Sequence, residues 1–230
     1  MPTMSRSTCR VVILEDHVLV AESLELALTV EGYDVRRIPI PDREQAPGAL
    51  ITQVIRQQPR IALLDLDLGQ FGNGERLITP LAQAGINVVV ITGSLDRARW
   101  GETVRCGARK VIAKSRGLNE ILATVRRINH GLQVMSPEER EELIKSWASE
   151  RAQLTDLHDR LGQLTTRERE VLGHLMKGRT VRDIAILGVV SEATVRTQVK
   201  SILAKLDVTS QIAAVGLAHR AGWQPPQLAA

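Results

Sequence analysis

The chain has 230 residues and a mass of 25.3 kDa, about one and a half typical domains, which points to one full-sized module and a smaller one. With 43% hydrophobic and 24% charged residues and no apolar run near the ~18 residues of a membrane span, wholesale disorder and a membrane-embedded chain are excluded. The net charge of +4 is uneven: 17 basic against 14 acidic residues over 1–131, 4 against 7 over 132–162, and 9 against 5 over 163–230.

The start, MPTMSRSTCR, lacks a long apolar stretch after its basic residues, so neither a signal peptide nor an anchor is expected and the chain is assigned to the cytoplasm. Short apolar runs then recur: Val11 to Leu14, Tyr33 to Ile38, Ile61 to Leu64, Val88 to Ile91 and Val111 to Ala113. Most are β-branched and continuous, the mark of parallel strands buried on both faces. Helical periodicity fills the intervals, as in Val20, Leu24, Ala27 and Leu28, or Ile121, Val125 and Ile128. The alternation predicts an α/β fold, a doubly wound parallel sheet of about five strands. Residues 38–49, IPIPDREQAPGA, read as an expanded surface connection.

Polar residues close the strand runs, where open α/β sheets place their sites. Glu15 and Asp16 follow the first run, Asp65 the third, Thr92 the fourth and Lys114 the last. Converging carboxylates repel by roughly 4 kcal/mol for unit charges about 4 Å apart at an effective dielectric near 20. A divalent cation relieves that, and magnesium suits a few carboxylates with waters and phosphate. A lysine can meet a phosphoryl oxygen and a threonine hydroxyl can donate to it, so the set reads as a phosphoryl-accepting site with Asp65 as nucleophile. His17 reads as a loop histidine and Cys106 as a small packing residue. Cys9 and Cys106 lie outside any metal-ligand spacing, and neither a disulfide framework nor a zinc site is expected.

Past Gly131, Ser136-Pro137-Glu138-Glu139 is a helix start, followed by a heptad-like stripe of Leu143, Trp147, Leu154, Leu157, Leu161 and Leu164. The helix either dimerises and relays a state, or packs on its neighbour. From Leu164, Thr165 and Glu168 form a capping box for a helix to about Met176. A short helix follows near Val181 to Leu187, then a tight turn at Gly188-Val189-Val190 and a third helix from Ser191 to about Leu206. Two helices joined this way form a helix-turn-helix. In the third helix Val195, Val199, Ile202 and Leu206 face inward, leaving Arg196, Thr197 and Lys200 for a DNA groove.

The texts VVILEDH, ALLDLDL, VVVITG and GARKVIAK, in this order over about residues 9–131, resemble the receiver domain of two-component response regulators. The resemblance implies a flavodoxin-like fold and Asp65 as phosphoacceptor. It also implies magnesium held by Glu15, Asp16, Asp65 and the Asp67 backbone carbonyl, with Thr92 and Lys114 sensing the phosphoryl group. Val111 and Ser115 depart from the pattern, standing where an aromatic and a proline are frequent, and the loop LGQFGNG is one residue longer. Residues 163–230 resemble the LuxR-type (NarL/FixJ) DNA-binding domain through Leu164, Thr165, Arg167, Glu168, Glu170, Val171, Leu172, Ile184, Ala185, Ser191, Thr194, Val195, Lys205 and Leu206. That likeness implies DNA contact by Arg196, Thr197 and Lys200, and a dimerisation helix around Ser210 to Ala221.

Together these readings predict a receiver at 9–131, a helical linker at 132–162 and an all-α helix-turn-helix domain at 163–230. The expected function is a cytoplasmic response regulator, not an enzyme and with no membrane partner. It is phosphorylated by a sensor histidine kinase and binds double-stranded DNA as a homodimer when active. Three alternatives stand beside it. One is a phosphorylation-independent DNA-binding regulator with a degenerate switch. Another is a phosphatase of the haloacid-dehalogenase layout using Asp65 and Asp67. The last is a ligand-sensing regulator.

Overall fold

The computed structural model describes residues 8–41 and 46–225. The first seven residues, residues 42–45 of the expanded connection and the last five residues of the C-terminal segment lie outside the described residues. The chain divides into two compact units, 1–148 and 149–230.

In the first unit, β1 (Arg10–Leu14), β2 (Asp34–Arg37), β3 (Ile61–Asp65), β4 (Asn87–Thr92) and β5 (Lys110–Ala113) pair in parallel in the order β2-β1-β3-β4-β5. Helices α1 (Val18–Val30), α2 (Gly48–Arg56), α3 (Glu75–Gln83), α4 (Arg97–Arg105) and α5 (Leu118–Asn129) alternate with them. Because side chains alternate along a strand, each run feeds two cores. Val12, Leu14, Ala62, Leu64, Val88 and Val90 pack with Leu50, Val54, Leu77, Ile78, Leu81 and Val104 of α2, α3 and α4. Val11, Ile13, Ile61, Leu63, Val89 and Ile91 pack with Ala21, Leu24, Leu28, Ile121, Val125 and Ile128 of α1 and α5.

The expectation of strands buried on both faces holds for β1, β3 and β4 and fails for β2, whose Arg36 and Arg37 are exposed. The residues themselves explain this: β2 carries two arginines, Arg36 pairing with Asp34 and Arg37 with Glu22 and Glu25 of α1, whereas the apolar Val111 to Ala113 of β5, at the opposite edge, are buried. The register sets Leu14 beside Leu64, Asp65 beside Ile91 and Thr92 beside Ala113, so the polar residues closing β1, β3, β4 and β5 fall along one edge.

Helix α6 runs unbroken from Pro137 to Gly162, and the Ser136 hydroxyl accepts from the Glu139 N–H at 3.1 Å. Its apolar stripe is buried in part, Trp147 and Leu154 being half-buried. Leu143 is buried in the core of the first unit, while Leu157 and Leu161, with Leu164 just past the helix, are buried in the core of the second. The boundary between the two compact units falls inside this helix.

The second unit adds α7 (Thr166–Met176), α8 (Val181–Leu187), α9 (Glu192–Leu206) and α10 (Gln211–Arg220). Thr165 and Glu168 form the expected capping box, and Thr180 and Asp183 form a second at α8. The turn between α8 and α9 departs from the simple glycine-turn reading. Val189 takes the left-handed conformation at φ +51, whereas Gly188 is right-handed. A Cβ at Gly188 would meet the far end of the Arg167 side chain, whose guanidinium donates to the Gly188 carbonyl at 3.2 Å. Among the described residues no single helix is long and apolar enough to cross a membrane.

Candidate functional site

At the carboxyl edge of the sheet, the Lys114 ammonium donates to Asp65 Oδ2 at 2.7 Å and pairs with Glu15 Oε2 at 2.8 Å. Lys114 opens a 3-10 turn directly after β5, which carries it back over the ends of β1 and β3. Glu15 and Asp65 are almost wholly buried, so an unpaired charge on either would cost several kcal/mol. Burial pushes the Glu15 carboxyl upward against the pull of Lys114. Burial alone would lower the lysine, but the hydrogen bonds from Lys114 to Asp65 and Glu15 outweigh it and raise its pKa.

The other Asp65 oxygen, Oδ1, accepts from the Asp67 N–H at 3.2 Å. The Asp67 side chain is exposed and meets Arg99 at 2.9 Å. A bridge between Asp67 and Asn73 closes the longer loop, which Leu68 and Phe71 anchor by burial. Gly74 is required beside it, since a Cβ there would enter the Asp65 carbonyl oxygen. Thr92 is fully buried at the end of β4, its hydroxyl oxygen accepting from the Ser94 N–H at 3.1 Å.

Glu15, Asp16, His17 and Asp65 each offer a ligand atom within 4.8 Å of the others. Three carboxylates give an all-oxygen set of the kind a hard divalent cation takes. A Cβ on Gly69 would come within 2.8 Å of Asp16 Oδ2, so the loop keeps that oxygen clear. The residues therefore fit magnesium. His17, read from sequence as a loop residue, is 66% exposed, yet its Nδ1 lies 2.9 Å from Asp16 and 3.1 Å from Glu15. Hydrogen bonding to Glu15, then the Asp16 charge, raises its pKa.

In the second unit Val195, Val199, Ile202 and Leu206 of α9 are buried, and Arg196, Thr197 and Lys200 are exposed on the opposite side. The Arg196 side chain is 68% exposed and pairs with Glu192 one turn earlier at 3.2 Å. The Thr197 hydroxyl donates back to the Ala193 carbonyl at 3.1 Å. The sheet-edge site and the exposed helix face lie in different units.

Residues 11–126 match the family described as response regulator receiver domain. The chain belongs to that family. Residues 162–218 match the family described as bacterial regulatory proteins, luxR family, so this response regulator joins a receiver to a LuxR-type DNA-binding domain. Among curated proteins it is similar to the transcriptional regulatory protein DesR of Bacillus subtilis, 24% identical over 74% of this chain and 78% of that one. It is also similar to LnrK of the same organism, 27% identical over 93% and 97%, and to the response regulator protein VraR of Staphylococcus aureus, 26% identical over 90% and 95%. A solved structure of the RcsB response regulator of Salmonella typhimurium covers 93% of this chain and 99% of its own, at 20% identity and a TM-score of 0.48.

Two features of this response regulator escaped the sequence reading. Arg99, on α4, spans Asp67 and Glu75, a tertiary pairing with no local spacing to betray it. The capping box of Thr180 and Asp183 was legible in its spacing.

Proposed function

We propose that Asp65 accepts a phosphoryl group from the phosphohistidine of a sensor histidine kinase, and that phosphorylation governs DNA binding by the C-terminal domain. An Asp65 carboxylate oxygen attacks phosphorus, the phosphorus–nitrogen bond breaks, and its electron pair leaves with the imidazole. Lys114 turns from Asp65 to a phosphoryl oxygen and the Thr92 hydroxyl donates to another. A magnesium ion held by Glu15, Asp16, Asp65 and the Asp67 carbonyl would supply positive charge to the phosphoryl oxygens.

The observation that carries this reading is the buried Asp65 carboxylate held by Lys114 and flanked by Glu15 at the sheet edge. It favours a working switch over the phosphorylation-independent alternative.

In the second half, Arg196 reads guanine in bidentate fashion, while Thr197 and Lys200 meet base edges or phosphates of double-stranded DNA. Reading it requires Arg196 to leave Glu192, an exposed pair that is weak enough to give way. The active form is a homodimer on two half-sites, and the protein acts in the cytoplasm as a regulator, not an enzyme. The receiver is taken as 9–131, the linker as 132–162 and the DNA-binding domain as 163–230.

Labelling with a small acyl phosphate and magnesium tests the first half. Stoichiometric label on the wild type and none on Asp65→Asn is expected, and persistent label on the variant rejects the assignment. A footprinting titration tests the second: Arg196→Ala weakens operator binding by about 1–3 kcal/mol, and unchanged affinity moves the contact elsewhere.

A further inference from the structure

Three consecutive residues of α4 face three different structures. Arg99 places its guanidinium between two carboxylates of the β3–α3 region, with Nη2 at 2.9 Å from Asp67 Oδ1 and Nε at 2.7 Å from Glu75 Oε1. Asp67 lies two residues past Asp65 and its N–H already holds Asp65 Oδ1. Trp100 donates its indole N–H to the Ser94 carbonyl at 2.9 Å, and Ser94 donates its own N–H to the Thr92 hydroxyl. Gly101 is buried against α6, where a Cβ would collide with the Leu143 carbonyl and come within 2.8 Å of Trp147 Cβ.

Around Gly101 the hold on the first half of α6 is broad. Arg105 lies over the Trp147 ring at 4.5 Å, Arg97 pairs with Glu142 at 3.2 Å, and Arg140 donates to the Val104 carbonyl at 3.3 Å. The start of α4 is capped by Asp96, which accepts from the Ala98 and Arg99 N–H groups. A shift of its first turn therefore moves residues 99–101 together. Val111, by contrast, is a buried aliphatic residue with no polar group to take part.

We propose that Arg99 is a positioning residue that latches α4 to the phosphoacceptor loop, and that phosphorylation releases the first half of α6 through this latch. The proposal rests on the receiver reading. When Thr92 turns to a phosphoryl oxygen it drops Ser94, which carries Trp100. The added negative charge beside Asp67 also redistributes the Arg99 guanidinium. Both act on the first turn of α4, and the tight Gly101–Leu143 approach tolerates no displacement without loosening α6.

Hydrogen exchange of the α6 amides before Ala148, with acyl-phosphate label measured on the same full-length samples, tests the latch. In the wild type, phosphorylation speeds their exchange about tenfold, as expected of an easier local opening. Arg99→Ala takes label at Asp65 as the wild type does, but its α6 exchange is already fast and no longer responds. Arg99→Lys, a point charge unable to span both carboxylates, recovers part of the response. Trp100→Phe, which keeps the ring and loses the N–H, also blunts it and guards against a folding artefact in Arg99→Ala.

An unchanged phosphorylation-dependent ratio in Arg99→Ala overturns the proposal, because a merely structural role would raise both rates equally. Labelled wild type with unaltered or slower α6 exchange overturns it as well. Absence of label in the wild type brings down the receiver reading and the latch with it.

Discussion

Glu168 is the buried carboxylate on which the DNA-binding domain depends, and removing its charge gives a quantitative test. Its oxygens accept from the Thr165 N–H at 2.7 Å, from the Ser201 hydroxyl at 2.5 Å and from Lys205 at 2.7 Å. Burial alone would raise its pKa, but the bonds from Lys205, Ser201 and Thr165 outweigh it and pull it down to about 2. A depressed carboxyl stabilises the fold above its unfolded pKa, near 4.5, and that stability is lost as pH falls toward about 2. The full shift would correspond to about 3.4 kcal/mol at about 1.36 kcal/mol per unit. Lys205 is 31% exposed, and solvent screening reduces this to about 2 kcal/mol.

Trp223 is the only tryptophan of residues 149–230, so in a Trp100→Phe, Trp147→Phe background its fluorescence reports urea unfolding of the second unit alone. Glu168→Gln should lose about 2 kcal/mol at pH 6 and converge with the parent near pH 2. A loss below about 0.5 kcal/mol, the usual scatter of surface substitutions, or an acid limb identical to the parent's would refute the reasoning.

Val189 is 91% exposed with φ +51, so Val189→Asn sheds left-handed strain without losing packing and should raise the stability of the second unit by about 1 kcal/mol in the same assay. Gly74→Ala should cost the first unit about 2 kcal/mol or more, read as a lowered Tm, since the neighbouring Asp65 carbonyl is backbone in a central strand. Lys114→Met strands two buried carboxylates and should destabilise the first unit by about 2–3 kcal/mol at neutral pH. Without the lysine the already raised Glu15 carboxyl rises further, so the folded state binds the extra proton. The loss should shrink as pH falls in a urea-denaturation series, and a pH-independent loss would contradict that.

The strands and most helices were legible because their causes are local. Short continuous β-branched runs between turn residues favour buried strands, and Thr165 with Glu168 or Ser191 before Glu192 caps a helix through neighbours three residues away. The acidic edge was legible too, since in a parallel sheet the residue closing each strand must fall on the same side. Burial fails at β2 because its run contains Arg36 and Arg37, whereas the purely apolar end of β5, at the opposite edge, is buried. Val189 at positive φ was hidden by Gly188 beside it, which is right-handed and whose carbonyl accepts from Arg167, twenty-one residues away.

By itself the sequence determined the alternation of elements, the charged residues at the strand ends and the polar face of α9, all consequences of periodicities of two and 3.6 residues. Only the tertiary structure decided what lies between distant segments. It placed Lys114 between Glu15 and Asp65, Arg99 between Asp67 and Glu75, and divided the α6 stripe between two cores. A stripe spaced for packing looks the same whatever partner it meets, and an arginine carries no mark of the carboxylates it will find. Those choices are made by packing and charge across the fold, where sequence spacing no longer measures distance.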